Sequence, residues 1–503
     1  MNSRFVCMGA AALLLVLASP ALATNGMNLE GYGPVATGMG GASFAFNNGS
    51  AAVMNNPATL SLMPEGFRLD LALGMLGPDV NAIVATPAGN LTAESSADAF
   101  FMPAFGLVRK QCNLVFGLGV FGQGGMGTEY SKTSWMADPS QGANTALTEG
   151  LVNRSEVSVG RAMGTMGYHV SEQFHVGATV DFVWAGMDLQ MAMSEPQFQN
   201  LANPQAQTIG SASGTLVNAF GQMYEPFGGT GILRLYHAYF DFSNDNDFTG
   251  EAMGYGVAGK IGAVYEATPD LTLGAVYQSQ TALGDLESDN AKLNMAVLMD
   301  AGILQGQPTG EYTDVNIPLS GKITIKDFEW PSIFGAGFSF QAMPNLMLAA
   351  DVKQIMWSQV MEDFKMNFVV DDIPENGGFV GLELDATLFQ NWEDQTVVAA
   401  GAAYKPVTPL TLRAGFNYGK NPVPDKYLNA LFPAIVESHG TFGAGYDFGQ
   451  GSQVNASVQV AFEKEATNPG VPSAVEPAAD FVIPPVTSSH SQLSWMLMYS
   501  HSF

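Results

Sequence analysis

The stretch GLGVFG at residues 117–122 has the G-x-G-x-x-G spacing of a turn that holds a dinucleotide pyrophosphate. That chemistry requires the glycines to join a strand to a helix in a βαβ unit. Here Leu114, Phe116 and Leu118 alternate with smaller residues, so the glycines lie inside a strand. Glycines within a strand mark a bend, a bulge or a close approach of other backbone. We therefore expect no nucleotide to bind here.

Residues that could carry out catalysis are present, but not in a catalytic pattern. The sequence has no G-x-S-x-G motif, with which many hydrolases expose a nucleophilic serine. The six histidines have the spacing of neither a metal site nor a catalytic triad. They are His169, His175, His237, His439, His490 and His501. We predict that the protein is not an enzyme, with no cofactor and no metal ion.

The N-terminus is typical of an exported protein. Arg4 precedes an apolar run from Phe5 to Leu17, and Ala21-Leu22-Ala23 forms a small-residue cleavage site, which predicts a signal peptide at residues 1–23. The exported chain would keep one cysteine, Cys112, and could form no internal disulfide. The formal net charge of −27 argues against a nucleic-acid partner, because phosphate binding needs a basic surface.

The apolar residues that follow alternate instead of forming long runs. No uninterrupted run of about 18 apolar residues follows the signal, which argues against a membrane-spanning helix. From Phe67 to Met75 the odd-numbered residues are apolar, whereas Arg68 and Asp70 lie on the other face. The C-terminal strand, which ends at Phe503, repeats this alternation. One apolar and one polar face per strand is typical of a transmembrane barrel.

A unit of strand, short polar turn and strand recurs along the chain. The short turns are predicted at 109–112, 170–173, 267–270, 342–345, 406–409 and 448–452. With the first and last strands, these six hairpins predict an all-β transmembrane antiparallel β-barrel of about 14 strands at residues 65–503. The short turns and both barrel ends would be periplasmic, with long extracellular loops, the largest at about 190–252 and 280–331. This architecture places the protein in the outer membrane of a Gram-negative bacterium.

Residues 24–64 do not alternate and are rich in Gly, Ala, Asn and Met. A barrel of this width leaves a lumen. We predict that the segment is an N-terminal hatch that plugs the lumen. The alternative is a loose periplasmic tail, although disorder favours more charge and fewer apolar residues than this segment has.

The sequence resembles the FadL-type outer-membrane transporters of long-chain fatty acids and aromatic hydrocarbons. Asn56, Pro57 and Ala58 look like that family's hatch motif, and Asn25-Gly26 like its mature start. Residues 116–130 are similar to its third strand, and 391–394 (NWED) and 421–425 (NPVPD) to later signatures. No one of these motifs is specific alone, but their order along most of the chain is.

The resemblance implies capture of a hydrophobic ligand at the outer loops, an interior pocket against the hatch, and lateral release where the third strand is kinked. The lateral-opening strand would use a set of glycines. They are Gly117, Gly119, Gly122, Gly124 and Gly125. This sequence departs from the family here, with GQGGMG where a Pro-Phe-Gly element is common. Capture would fall to the apolar stretches Phe220–Phe227 and the helix-like Leu293–Leu304, unless these stretches simply pack on each other.

A fatty carboxylate inside the barrel would need a cation, and the sequence has 19 basic residues in all. Alternation directs five of them inward. These ligand-binding candidates are Lys260, Arg161, Arg413, Lys353 and Arg68. Arg68 and Lys353 have Asp70 and Asp351 two positions away, which favours structural ion pairs. Lys260 has no such neighbour on its strand and is the first candidate.

We therefore predict outer-membrane transport of hydrophobic compounds, with long-chain fatty acids as the first ligand class. The alternative is a channel for aromatic or other neutral hydrocarbons, and a general porin is a weaker third, because a porin would need no plug. The expected partners are a hydrophobic small molecule and outer-membrane lipid, with no nucleic acid and a monomeric barrel.

Overall fold

The computed structural model describes residues 25–139, 147, 150–244, 250–300, 302–303, 307–472 and 481–503. The predicted signal peptide at 1–23 lies outside the described residues. The strands are β1 (Gly66–Leu76), β2 (Pro78–Thr86), β3 (Gly89–Glu94), β4 (Phe100–Gln111), β5 (Leu114–Tyr130), β6 (Asn153–Ser171), β7 (Phe174–Ser194), β8 (Gly210–Ser213), β9 (Ile232–Phe242), β10 (Ala252–Thr268), β11 (Leu271–Gln278), β12 (Ala282–Leu283), β13 (Leu286–Asp300), β14 (Tyr312–Lys326), β15 (Ile333–Met343), β16 (Leu346–Ile355), β17 (Asp363–Val370), β18 (Glu383–Phe389), β19 (Gln395–Val407), β20 (Leu410–Gly419), β21 (Ser438–Gly449), β22 (Ser452–Asn468), β23 (Val471–Pro472), β24 (Phe481–Ile483) and β25 (Val486–Ser502).

The helices are short. The α-helices are α1 (Gly33–Thr37), α2 (Glu195–Ala202) and α3 (Thr215–Met223), and the 3₁₀ helices are Gly49–Val53, Pro57–Leu62, Trp135–Ala137, Glu225–Phe227, Trp357–Gln359, Pro374–Phe379 and Asp425–Tyr427. None of the helices in the described part of the chain has the length and apolar character needed to cross a membrane.

The long strands form a closed ring in which each pairs antiparallel with the next. The order around the ring is β1, β4, β5, β6, β7, β10, β11, β15, β16, β19, β20, β21, β22, β25 and back to β1. Two-residue connections at 112–113, 172–173, 269–270, 344–345, 408–409 and 450–451 confirm the six predicted hairpins. The Phe67 N–H donates to the Phe503 carbonyl at 3.3 Å, so the first and last strands meet at the same end of the ring as these turns.

The outer surface of the ring is apolar. Val180 and Phe442 are 76% and 72% exposed, and exposed aliphatic and aromatic residues recur at every second position of the ring strands. On β1 the exposed Leu71 and Leu73 alternate with the buried Asp70 and Gly74, as the sequence predicted. This pattern is the one that a lipid-facing barrel wall requires.

The strand count is larger than predicted. The ring order given above contains 14 strands, but the described residues form one sheet of 23 strands, because segments that were predicted to be long loops contain strands that extend the sheet beyond the ring. β2 and β3 extend the sheet from β25, and β9, β13, β14, β17, β18 and β8 extend it from β7. Most of these strands lack the outward apolar row that made the ring strands recognisable.

The helix predicted from Leu293 was wrong. Residues 286–300 form β13, which pairs with β9 and β14. Leu293, Met295, Val297 and Met299 are all buried, so burial recurs with the period of a strand. A continuous apolar run does not distinguish a buried strand from a helix. Residues 301 and 304 of the predicted stretch lie outside the described residues.

Residues 25–64, here called the N-terminal segment, lie inside the ring. The Ser43 and Phe44 N–H groups donate to Asp351 of β16 at 2.6 and 3.0 Å, and Asn417 of β20 donates to the Gly40 carbonyl at 3.0 Å. On the opposite side, Lys110 of β4 donates to the Ser61 carbonyl at 2.6 Å. Contacts with strands on all sides place the segment within the barrel.

Glycines in the wall make these close contacts possible. A Cβ atom at Gly415 would overlap the backbone of Gly40, and one at Gly262 would overlap the side chain of Asn56. Both wall positions face the N-terminal segment, and any side chain there would push the segment away.

We predict that Gly415→Ala loosens the N-terminal segment, because the added methyl group meets backbone that has no rotamer with which to yield. Overpacking of this kind costs about 1–3 kcal/mol. Limited proteolysis of the detergent-folded protein should cut within residues 25–64 faster in this variant. Gly164→Ala is the matched control, since its nearest neighbour would be the Val180 carbonyl at 3.9 Å. Equal cleavage rates in the two variants would contradict the predicted contact.

Candidate functional site

The ladder between β4 and β5 is interrupted in the barrel wall. β4 pairs with β5 only from Phe105 opposite Val120 to Gln111 opposite Leu114. Residues 100–104 of β4 pair with β1, and β5 beyond Val120 pairs with β6, apart from isolated bridges of Gly124 with Asn28 and of Tyr130 with Ser95. The stretch before β4 meets β5 again where the Ser96 N–H donates to the Glu129 carbonyl at 2.8 Å. Between these limits the wall has a gap, defined here by residues 100–104 and 121–128.

β5 bends beside this gap. Its register with β6 shifts between Gly122 and Gly124, which is a β-bulge. The Gly125 N–H donates to the carbonyl of Met27 at 3.1 Å, and the Tyr32 hydroxyl donates to the Gln123 carbonyl at 2.7 Å. The N-terminal segment therefore supports β5 where β4 does not.

Three adjoining cavities lie between the N-terminal segment and this part of the wall. All three are lined by Leu29, and neighbouring cavities share Leu76, Met102 or Met496. One extends to Pro433 and His490 near the outer sheet. Another reaches Phe121 and Gly122 at the gap. The cavities thus form a series that ends at the interrupted ladder.

The lining of these cavities contains acids but no strong base. Glu30 and Asp70 are among the lining residues, whereas no Lys or Arg lines any of the three. Glu30 lies 2.9 Å from His439 Nε2, and Asp70 accepts from the Ser50 N–H at 2.8 Å. The remaining lining is mainly apolar or glycine. Such a surface suits a ligand without charge.

The five predicted cations are not gathered in these cavities. Lys260 Nζ donates to the Met54 carbonyl, and Lys353 Nζ to the Glu30 carbonyl at 2.9 Å. Three guanidinium groups have side-chain partners. Arg161 contacts Asp181 at 2.7 Å, Arg68 contacts Asp70 at 2.9 Å, and Arg413 donates to Asn455 at 3.1 Å. All five are held by protein groups, and a ligand-binding role for them stays a prediction.

The predicted hatch motif sits against the wall. Asn56 caps the 3₁₀ helix Pro57–Leu62 by accepting from the Ala58 N–H at 3.1 Å, and its amide donates to the Phe44 carbonyl at 2.7 Å. A Cβ at Gly177 of β7 would lie 2.5 Å from the carbonyl carbon of Pro57. The motif therefore fixes the fold of the segment and its fit to β7.

The five glycines predicted for the opening have different surroundings. Gly117 and Gly119 face the lumen, where Cβ atoms would meet Val53. Gly122, Gly124 and Gly125 lie at the bulge and the gap. All five glycines lie in β5, and a lateral opening there, with release through it, stays a prediction.

Sequence reasoning missed several residues around the gap. Phe100 and Met102 line the cavities, and Pro103 lies in the stretch of β4 that pairs with β1 but not with β5. Proline within a sheet is confined largely to edges, so Pro103 was an available signal. It also missed three tryptophans, Trp330, Trp357 and Trp392. The ring centroid of Trp357 lies 5.6 Å from that of Trp330 and 5.2 Å from that of Trp392, and the Trp357 ring lies against Gly26.

The predicted capture stretch at 220–227 is packed rather than open. Phe198 of α2 lies 5.2 Å from Phe220 and 6.2 Å from Phe227, measured between ring centroids. The Tyr224 hydroxyl donates to Glu195 at 2.5 Å, and burial raises the pKa of Tyr224, which keeps the phenol neutral. These contacts favour the alternative that the outer aromatic residues pack on each other.

Comparison with known proteins identifies the family. The family model described as outer membrane protein transport protein (OMPP1/FadL/TodX) matches residues 15–474. The toluene transporter TodX of Pseudomonas putida is 28% identical, with 95% of this chain and 99% of TodX covered and a TM-score of 0.73. The toluene transporter TbuX of Ralstonia pickettii is 28% identical, with 95% and 99% covered and a TM-score of 0.70.

A curated relative matches only in part. An uncharacterized Chlorobium limicola protein, from the 5′ region of the phosphoenolpyruvate carboxykinase gene, is 48% identical over 83 residues. The match covers 16% of this chain and 40% of that protein's length.

The closed antiparallel barrel with an apolar outer surface defines an outer-membrane type of transport protein. More particularly, the chain belongs to the OMPP1/FadL/TodX family of outer membrane transport proteins. Transport of hydrophobic molecules is a property of this family, and the family and the structural neighbours are transport proteins rather than enzymes. A Gram-negative outer membrane fits both the family and the barrel.

We predict that Arg161 is a structural partner of Asp181, since both side chains are fully buried. Arg161→Met should destabilise the barrel by about 3–5 kcal/mol, because it leaves a buried carboxylate unpaired. Adding Asp181→Leu should recover most of this loss. The free energy of unfolding, measured by urea titration in detergent, tests both variants. No recovery in the double variant would mean that Arg161 stabilises the protein through other groups.

Proposed function

We propose that the protein transports neutral hydrophobic molecules across the outer membrane, with monoaromatic hydrocarbons as the first ligand class. The observation that carries the proposal is the gap between β4 and β5, which adjoins cavities lined by no Lys or Arg. The similarity to TodX and TbuX, both described as toluene transporters, supports this choice. It favours the hydrocarbon alternative over long-chain fatty acids.

The proposed path runs along the N-terminal segment. A ligand captured outside enters near His490, passes Leu29 and reaches Met102 and Phe121 beside the gap. It then leaves sideways between β4 and β5 into the membrane. Lateral exit keeps an apolar molecule out of water, and each apolar methylene kept from water saves about 0.8 kcal/mol.

Charge separates the two ligand classes. A carboxylate in these cavities would leave water without gaining a cation, and burying an unpaired ion costs several kcal/mol. Glu30 in the lining would add repulsion of the same sign, whereas Asp70 is already paired with Arg68. A neutral hydrocarbon incurs neither cost.

Long-chain fatty acids are the second candidate. Lys260 supports this reading, because its ammonium group is buried and its one hydrogen bond among the described residues is to the carbonyl of Met54. A ligand carboxylate could replace that carbonyl as the partner of Lys260 if the N-terminal segment moved. The ligand would then have to leave the three cavities and pass the segment.

The remaining parts of the proposal follow the sequence. Residues 1–23 are removed as a signal peptide, residues 24–64 act as the hatch, and residues 65–503 form the barrel. The long outer segments at about 190–252 and 280–331 contribute to capture. The barrel works as a monomer in outer-membrane lipid and uses no cofactor.

We predict that the detergent-folded protein binds p-xylene at least about tenfold more tightly than 4-methylbenzoate at pH 7, a difference of about 1.4 kcal/mol. The two ligands differ only in one methyl group that is replaced by a carboxylate. Equilibrium dialysis with labelled ligands measures both, and oleate is included for the second candidate. Tight binding of oleate without p-xylene would reverse the order of the candidates.

The binding measurement also locates the site. Ala104 lines the cavity at the gap, so Ala104→Trp should weaken p-xylene binding by filling it. Ala414 is exposed on the outer surface of β20, and Ala414→Trp is the matched control. Unchanged binding in Ala104→Trp would place the ligand elsewhere.

We predict that a disulfide across the gap stops uptake. A Cβ at Gly122 would lie 3.9 Å from the Met102 Cβ, which is the separation that a disulfide needs. Met102→Cys with Gly122→Cys, made with Cys112→Ser, should lose labelled toluene uptake when oxidised and regain it with reductant. Each single cysteine variant controls for the oxidant. Full uptake through the oxidised protein would exclude release at this gap.

A further inference from the structure

Two side chains of β4 reach across the gap towards glycines of β5. A Cβ at Gly127 would lie 2.6 Å from Cζ of Phe100, so the tip of that ring lies against β5. A Cβ at Gly122 would lie 3.8 Å from Cγ of Met102. The two contacts occur at different heights of the gap, one on each side of the β5 bulge.

Glycine occupies half of the opposite edge of the gap. Of the β5 residues 121–128, Gly122, Gly124, Gly125 and Gly127 carry no side chain, whereas Phe121, Met126 and Thr128 line the cavities. The Gln123 side chain is turned away to accept from Arg161 at 2.5 Å. Beside Gly122 and Gly127, the gap is therefore narrowed from the β4 side.

Phe100 and Met102 also stand between the cavities and the gap. Phe100 lines the outer cavity, and Met102 lines the two others. Both are only half-buried, in contrast to the fully buried groups of the N-terminal segment. Both side chains therefore border the way from the cavities to the gap.

The two side chains differ in how they can yield. Methionine has three flexible torsions and a polarisable sulfur, so Met102 can adapt to a passing ligand. A phenyl ring is rigid, and Phe100 is bounded by β5 on the far side of the gap. Rotation of the ring admits another flat ring, whereas a broader molecule requires the whole side chain to move.

We propose that Phe100 and Met102 form a size-selective gate, which passes single-ring and linear hydrocarbons and retards fused two-ring hydrocarbons. The gate rests on the proposed function, since it acts at the lateral exit. Phe100 sets the upper limit on ligand width, and Met102 adjusts to ligands below that limit.

The test is the ratio of naphthalene uptake to toluene uptake, measured with labelled ligands in cells that express the full-length protein. Phe100→Ala should raise this ratio by roughly tenfold, as expected when a steric block in an apolar site is removed. Phe100→Leu should raise it less, and Met102→Ala should mainly raise the toluene rate. Phe101→Ala is the matched control, because Phe101 is the next residue on the same edge and is 51% exposed on the outer surface.

The outcomes separate the gate from the proposed function. If the unaltered protein takes up toluene and the ratio stays within about twofold in both Phe100 variants, the gate is wrong and the transport proposal stands. An equal rise in Phe101→Ala would also overturn the gate. If the unaltered protein takes up neither hydrocarbon, both proposals fail.

Discussion

A strand edge inside a bilayer needs partners for its N–H and C=O groups, because hydrocarbon offers none. This constraint governs the region where β4 and β5 separate. On β5, the Gly125 N–H donates to the Met27 carbonyl, and the Gln123 carbonyl accepts from the Tyr32 hydroxyl. The interrupted pairing in the wall and the segment inside the lumen therefore depend on each other. Without the segment, the same gap would leave unsatisfied backbone in the membrane.

The wall in turn shapes the segment. Its inward glycines let backbone approach backbone, and two inward lysines bind main-chain carbonyls of the segment at Met54 and Glu30. These ammonium groups are therefore engaged in holding the fold together. As a result, no Lys or Arg lines the cavities beside the gap. The proposed preference for a neutral ligand therefore depends on how the segment fills the lumen.

The ring strands could be predicted from the sequence because lipid imposes a row of apolar residues at every second position. The six turns and the strand β5 follow from that row and from the polar residues between the strands. Most of the outer strands lack that row, so β13 was predicted to be a helix, and β2, β9 and β14 were predicted to be loops. The partners of Lys260 and Lys353 are backbone carbonyls some 200 and 320 residues away, which side-chain patterns do not reveal. The gap itself depends on ladder pairs that do not form, and its local signs are Pro103 of β4 and the glycines of β5.

The close contact of Gly262 and Gly415 with the N-terminal segment also limits which amino-acid substitutions the protein can accept during evolution. A larger residue at either position would overlap Asn56 or Gly40, so these parts of the lumen have almost no evolutionary freedom. Change in the range of cargo must accumulate at side chains that border free space, such as Leu29 and Met496. The barrel and its N-terminal segment can therefore stay the same while sequences diverge. A small set of cavity-lining positions can change with the hydrophobic compounds that each environment supplies.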